Sequence, residues 1–263
     1  MKTPPVAGIY EDMPFKQYAS IDALNSGLIR ASMKSLRYMR RKELETKADF
    51  VYAFETGKAF ALLCESKSEY YKTVELGPCK TVTAQKWQTK ALENPDKIYL
   101  TEADYETLPR MYNACLENSE AKQFFADEVE RELTFVWQCE RTGEWLKGRA
   151  DFLAKDWLVD VKTIQSIYKA KYHIWDYRYD VQLVMYQDGL RHNGRDVSRV
   201  SNLFVEKVQT LPEVVMRDFT REETSAAWDE YIEAIQQIQY ARRTGEYPGY
   251  QFPVEQPDTI SFE

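Results

Sequence analysis

Cysteine and histidine are scarce in this sequence, and several kinds of catalytic or metal site are disfavoured with them. The four cysteines are scattered and include no Cys-x-x-Cys pair, which argues against zinc and iron–sulfur sites and is typical of a reduced cytoplasmic protein. His173 and His192 are the only histidines, so catalysis by a histidine triad is a poor candidate.

Long apolar runs are also lacking. No run approaches the roughly 20 residues that a membrane-spanning helix needs, and the first fifteen residues have no apolar core of the signal-peptide kind. We therefore expect no membrane partner and no secretory signal. Repeats and low-complexity tracts are lacking too, and a chain of 263 residues that is 44% hydrophobic and 29% charged can bury a full core.

The net charge of −7 argues against a surface that is basic throughout. It leaves room for a local basic groove, because phosphate contacts need only a few well-placed cations. A helix predicted from about Ile21 carries Arg30, Lys34, Arg37 and Arg41 at spacings of four, three and four, which is one helical face. Two interpretations stay open for this face: a solvated surface, or a row of phosphate contacts.

The strongest local pattern predicts a β-hairpin. Apolar and charged residues alternate over 144–153 and 158–163, as in half-buried strands. A tight turn centred on Lys155-Asp156 joins the two strands. The turn lacks the glycine that two-residue hairpins favour, so the register of the hairpin is an assumption.

A symmetric turn places Asp151 directly opposite Asp160, with Lys162 on the same face as Asp160. Facing residues have Cβ atoms roughly 4.5–5.5 Å apart, so the two carboxylates repel each other. A divalent cation held by carboxylate oxygens would turn this repulsion into a binding site. The alternative is a charged strand face that is only solvated, since Asp-x-Lys triplets are common.

The order of the remaining elements predicts an α/β fold, in which helices flank a mixed central sheet and further helices precede it. The helices expected besides the first are Ala53–Tyr71, Glu102–Phe125, Ile167–His192 and Thr220–Arg243, and the strands besides the hairpin are Glu132–Cys139, Val197–Val208 and Glu213–Phe219.

Three segments together resemble the PD-(D/E)XK nuclease superfamily: GRADF (148–152), DVKT (160–163) and the Gln182-x-x-x-Tyr186 pair of its RecB-like branch. The order and spacing are similar to those of the RecE-type exodeoxyribonuclease VIII nuclease domain over most of the chain. This resemblance implies a restriction-endonuclease-like core. We expect one nuclease domain over 1–263, with a helical DNA-contacting segment at 1–50, the core at 51–245 and an irregular tail at 246–263.

The resemblance implies a Mg²⁺-dependent exonuclease, with Mn²⁺ as a substitute, acting on linear double-stranded DNA in the cytoplasm of a bacterial host cell. Such an enzyme of a phage or prophage recombination system digests one strand from its 5′ end. The 3′ overhang serves a single-strand annealing protein of the RecT type. A homo-oligomeric ring, trimer or tetramer, is expected on the same grounds.

The resemblance also implies roles for individual residues. Asp151, Asp160 and the carbonyl of Val161 would bind the metal, and Lys162 would orient or help deprotonate the attacking water. Gln182 and Tyr186 would position the strand or the lysine, and Glu132 matches an acidic position less closely. The DNA-binding candidates are Arg30, Lys34, Arg37, Arg41, Arg149, Tyr177 and Arg178.

One departure from the family pattern concerns the second helix. Where the family has Gly-x-Ala-x-His, this chain has Gly57-Lys58-Ala59-Phe60-Ala61, so an alanine replaces the histidine. Glu65 lies one turn further along the same face. The alanine, natural or substituted, raises one alternative to an active exonuclease, an impaired DNA-end-binding protein that keeps the nuclease fold. A second alternative, independent of the alanine, is an endonuclease of the restriction type or a structure-specific one.

Overall fold

The computed structural model describes residues 2–44, 52–78, 84–126 and 128–251. Parts of the two expected terminal segments, residues 1, 45–50 and 252–263, lie outside the described residues. Within the described residues, the strands in chain order are β1 (Gly8–Tyr10), β2 (Val74–Leu76), β3 (Ile98–Leu100), β4 (Glu130–Gln138), β5 (Trp145–Ala154), β6 (Trp157–Ile164), β7 (Arg199–Glu206) and β8 (Val214–Asp218).

Six of these strands form one sheet in the order β1-β4-β5-β6-β7-β8, and β2 pairs with β3 in a small parallel sheet. β6 and β7 are parallel, whereas the other neighbours in the large sheet are antiparallel. A parallel pair needs a long crossover connection, and the helical segment between β6 and β7 supplies it. The mixed sheet predicted from the sequence is therefore confirmed.

The helices are α1 (Phe15–Ser20), α2 (Ser26–Lys34), α3 (Leu36–Leu44), α4 (Tyr52–Glu65), α5 (Lys67–Thr73), α6 (Ala84–Glu93), α7 (Glu102–Glu117), α8 (Ala170–Tyr177), α9 (Tyr179–His192) and α10 (Arg221–Thr244). Short 3₁₀ turns cover Ala121–Phe125 and Ile167–Lys169. Across the described ranges, no helix is both long and apolar enough to cross a membrane.

The helices form a layer on each face of the sheet. Ile29 of α2, Leu183 of α9 and Ile235 of α10 pack with Leu153 and Leu158 of the central strands. On the other face, α4 and α7 cover Phe152 and Val159. Both faces of the central hairpin are thus buried, which confirms the α/β fold with flanking helices.

The single helix predicted from about Ile21 is wrong, because the chain forms α2 and α3 there. Ser35 between them is extended (φ −173°), and its Oγ accepts a hydrogen bond from the Tyr38 N–H at 3.0 Å. A serine in this position caps a new helix and ends the previous one. Arg37 and Arg41 therefore do not continue the helical face of the two basic residues on α2.

The long helix predicted over Ile167–His192 is also broken. Arg178 has a left-handed backbone (φ 52°) and separates α8 from α9. Its guanidinium bonds the Asp180 carboxylate at 2.8 Å and forms an ion pair with Glu230 on α10. These contacts hold a conformation that a non-glycine residue seldom adopts, so no glycine or proline marks the break.

Other boundaries shift by a few residues, and two predicted helices are divided. Ser66 separates α4 from α5 and caps the second of them, and α7 ends at Glu117 before a 3₁₀ turn. The predicted start at Thr220 is confirmed. Its side chain and that of Glu223 form a reciprocal capping box at the N-terminus of α10.

Candidate active site

The β5–β6 hairpin turns at Lys155-Asp156, as the sequence predicts. Lys155 adopts a positive φ of 56°, which supplies the turn geometry without glycine. The strands pair Ala154 with Trp157 and Phe152 with Val159. The predicted register is therefore confirmed from the turn as far as the Phe152–Val159 pair.

At Asp151 the regular pairing of β5 is interrupted on both sides: pairing with β6 ends at Phe152–Val159, and pairing with β4 skips one position. The carboxylate of Asp151 accepts a hydrogen bond from the Val161 N–H at 2.6 Å. On the β4 side, Glu132 has a positive φ of 49°. The two strands pair at Arg131–Phe152, skip the position of Glu132 and Asp151, and pair again from Leu133–Ala150 onward. Local interruptions of this kind redirect a side chain, and here they point the Asp151 carboxylate at the backbone of β6.

Asp160 and Lys162 project toward α9, where Gln182 connects them. The Lys162 Nζ lies 2.5 Å from Asp160 Oδ2, and Gln182 donates from Nε2 to Asp160 Oδ1 at 2.8 Å. Lys162 donates to Gln182 Oε1 at 3.1 Å. One amide thus bonds both members of the ion pair and fixes the direction of the lysine.

Tyr186 extends this network to the N-terminal helices. Gln182 donates to the Tyr186 hydroxyl at 3.2 Å, and that hydroxyl lies 3.4 Å from Ser26 Oγ on α2. Burial, followed by the negative charge of Asp160, raises the pKa of Tyr186 to about 12. The hydroxyl therefore keeps its proton at neutral pH and acts as a hydrogen-bonding group.

A pocket lies beneath α4 on the other side of Asp151. Its lining includes Ala61 and Glu65 from α4, together with Arg131, Glu132 and Asp151. The alanine that departs from the family pattern thus faces the candidate site, and Glu65 reaches the same pocket. The β5–β6 ladder ends at Phe152–Val159, so the predicted direct pairing of Asp151 with Asp160 is not observed. Asp151 lines this pocket and accepts from the Val161 N–H, whereas Asp160 bonds Lys162 and Gln182.

The electrostatics of Asp151 favour a cation. Burial raises the pKa of its carboxyl well above the usual value, and the charges of Asp160 and Glu132 raise it further. The predicted ligands Asp151, Asp160 and the carbonyl of Val161 all offer oxygen, the donor that Mg²⁺ prefers. Within the described residues, no group of three or more His, Cys, Asp or Glu side chains is arranged to hold a metal.

Two of the predicted DNA-binding arginines are engaged within the protein. Arg149 forms an ion pair with Glu132 and donates to the Met13 carbonyl at 2.9 Å. Arg178 is held by its two acidic partners at the break between α8 and α9. These contacts hold both side chains in place, and they also pair the candidate acid Glu132 with a cation.

The other DNA-binding candidates lie nearer the surface. Arg30 donates to the carbonyl of Tyr177 at 2.9 Å, and the Lys34 Nζ lies 5.6 Å from the centre of the exposed Tyr177 ring. Arg37 and Arg41 line a separate open groove on α3. The structure therefore divides the four predicted basic residues into two pairs. Arg30 and Lys34 lie beside α8, and Arg37 and Arg41 lie on α3.

Asn202 belongs to the site and was missed in the sequence. It lies opposite Asp160 on the parallel strand β7 and is fully buried. Its Nδ2 is 3.4 Å from Asp160 Oδ2, and its Oδ1 has no partner among the described residues. A single amide inside the apolar strand sequence Arg199–Glu206 was the available signal.

The comparisons with known proteins agree with this fold. The model of the family described as "PDDEXK-like domain of unknown function (DUF3799)" matches residues 25–256. A crystal structure of a "Putative exonuclease" from Eubacterium rectale has a TM-score of 0.67 at 13% identity, covering 92% of this chain and 90% of that one.

A phage related exonuclease from Haemophilus somnus 129PT is more distant, with a TM-score of 0.32 at 12% identity over 60% of this chain and 80% of that one. No curated protein matches the sequence.

Proposed function

Because this chain belongs to the PDDEXK-like domain family, we propose that it is a metal-dependent nuclease whose site comprises Asp151, Asp160 and Lys162. The observation that carries the proposal is the ion pair of Lys162 with the buried Asp160, fixed by Gln182 near a second, partly buried aspartate. An isolated strand-surface ion pair would need neither the buried amide nor the adjacent carboxylate.

The residues of the site would divide the work of phosphodiester hydrolysis. Asp151, Asp160 and the carbonyl of Val161 would hold Mg²⁺, or Mn²⁺ in its place, which when bound neutralises phosphate charge and lowers the pKa of a bound water. Lys162 places a positive charge beside the attacking water. Gln182 keeps that ammonium in position, and Tyr186 anchors the amide of Gln182.

We further propose that the substrate is linear double-stranded DNA, digested from the 5′ end to leave a 3′ overhang for an annealing protein of the RecT type. The resemblance to RecE-type exonucleases supports this polarity, as well as a homo-oligomeric ring. Arg30 and Lys34 beside α8 are the cations best placed for phosphate contacts near the site.

The test uses linear duplex labelled at either the 5′ or the 3′ end, with and without Mg²⁺. The wild-type protein should release the 5′ label first, and only with the metal. Asp160→Asn and Lys162→Ala should each reduce release by at least ~100-fold, since each removes a charge that acts at the transition state. Lys72→Ala, on the exposed side of α5, is the matched control. Undiminished release by both site variants would refute the assignment.

The pocket at Ala61 favours a second candidate, a DNA-end-binding protein with impaired catalysis. Such a protein would bind linear duplex in saturating Mn²⁺ and release no nucleotides. Ala61→His restores the family's side chain in the pocket beside Asp151, and under this alternative it should restore release. Closed circular DNA separates the remaining alternative, because an endonuclease would cut it and an exonuclease would spare it.

A further inference from the structure

The outer face of α8 and the turn before it is aromatic. Tyr168, Tyr172 and Trp175 are 81%, 59% and 54% exposed. The spacing of three places Tyr172 and Trp175 on one face of α8, and Tyr168 lies in the 3₁₀ turn just before the helix. Ile174 on the opposite face is buried against the sheet, with Ala170 packed beside it. A surface helix normally turns polar residues outward, so three exposed rings in one row indicate a binding surface.

A fourth exposed ring, on a different side of α8 from the row, lies next to the candidate active site. Tyr177, at the end of α8, is 47% exposed and stacks on Tyr179 with ring centres 5.7 Å apart and planes 19° apart. The Lys162 Nζ lies 4.6 Å from the centre of the Tyr179 ring. Two stacked rings therefore connect the exposed surface to the lysine of the site.

Cations are interleaved with these rings. The Lys171 Nζ lies 4.9 Å from the centre of the Tyr172 ring, and Lys34 approaches Tyr177 from α2. Between residues 167 and 177 the sequence has Lys169 and Lys171 against the one acidic residue Asp176. Exposed aromatic rings among lysines suit a polyanion whose own rings can stack on them. Single-stranded nucleic acid has this chemistry, whereas the bases of a duplex are already stacked on each other.

We propose that the aromatic face, defined by Tyr168, Tyr172 and Trp175, together with Tyr177 at the end of α8, binds unpaired DNA by base stacking beside the active site. That the polymer is DNA, and that its unpaired strand arises at the site, rests on the proposed nuclease function. A protein partner would also cover the rings, but the interleaved lysines favour the nucleic acid.

The experiment measures the affinity for fluorescently labelled oligothymidylate by anisotropy, in EDTA so that nothing is cleaved. Trp175→Ala should weaken binding about 5- to 100-fold, the range expected for one base–aromatic stack, and leave the affinity for blunt duplex unchanged. Trp175→Phe keeps a ring and should bind within about 3-fold of wild type. Tyr240→Ala removes a similarly exposed ring from α10 and should have no effect.

Tryptophan fluorescence gives an independent readout. Oligothymidylate should quench the wild-type emission, and Trp175→Phe should lose that quenching although it still binds. If Trp175→Ala does not fold, the double variant Lys169→Gln/Lys171→Gln replaces it. That variant should weaken binding and flatten its salt dependence, because fewer phosphate charges are neutralised.

Equal oligothymidylate affinity for wild type and Trp175→Ala would overturn the proposal. A change of oligomeric mass in sedimentation with no change in DNA affinity would also overturn it, since the face would then join protein subunits. Failure of the nuclease proposal looks different: wild type would release no nucleotides with Mg²⁺, while Trp175→Ala would still lose oligothymidylate binding.

Discussion

Gln182 is the residue whose replacement tests the site most directly. Its amide donates to the buried Asp160 and accepts from Lys162. A hydrogen bond to a charged group contributes about 1.5–3 kcal/mol. Asp160 is 2% exposed, so Gln182→Ala deprives it of a donor that water cannot readily replace. The Lys162 ammonium is more accessible and can bond water instead. Only the lost hydrogen bond to Asp160 therefore lowers the stability.

Gln182→Ala should therefore lower the free energy of unfolding by about 1.5–3 kcal/mol. This corresponds to a Tm lower by roughly 3–12 °C for a protein of this size. Nucleotide release should fall by about 10- to 100-fold, because the Lys162 ammonium would no longer be held in one position. Urea unfolding gives the stability, provided that the m-value is unchanged, and the end-labelled duplex gives the activity.

Two further variants separate hydrogen bonding from packing. Gln182→Met fills the space without hydrogen bonds and should lose most of the same stability. Gln237→Ala removes a similar amide from the exposed surface of α10 and should change stability by no more than about 0.5 kcal/mol. If Gln182→Ala unfolds at the same urea concentration as wild type and Gln237→Ala, the inferred network does not stabilise the site.

Asp151→Asn should be more stable than wild type at neutral pH in EDTA. The pKa of Asp151 is higher in the folded protein than in the unfolded chain. At pH values between these two pKa values folding takes up a proton, so wild-type stability falls as pH rises through this range. Urea unfolding should show the advantage disappearing near pH 4, and Mg²⁺ should stabilise only the wild type. Arg178→Ala should lower stability by about 3 kcal/mol, because it leaves a buried carboxylate unpaired. Each kcal/mol shifts the Tm of a protein of this size by about 2–4 °C, so a Tm within 1 °C of wild type would contradict this expectation. Gly189→Ala should cost about 1–3 kcal/mol, because its Cβ would lie 2.6 Å from the Trp137 ring. Gly57→Ala meets no atom within 4 Å on α4 and should gain about 0.5–1 kcal/mol. Thermal unfolding of the two glycine variants should show shifts of opposite sign, and shifts of the same sign would refute the packing account.

Short-range patterns in the sequence were sufficient to predict the central hairpin and part of its chemistry. Alternation of apolar and charged residues predicted β5, β6 and the turn at Lys155-Asp156, because strand geometry repeats every two residues. The same alternation placed Asp160 and Lys162 on one face. The spacing of Gln182 and Tyr186 placed both on one face of a helix, where the structure joins them by a hydrogen bond.

The tertiary structure alone decided where the chain departs from regular geometry. The left-handed Arg178 depends on Glu230, far away in sequence, and the interruption at Asp151 depends on both neighbouring strands. The ion pair of Arg149, a predicted DNA contact, with Glu132 on β4 also joins residues that are separate in sequence. Local propensity carries no information about such partners, because they approach only when the sheet and its helices assemble. The sequence by itself thus determined which side chains could perform the chemistry, and the assembled sheet decided which of them meet.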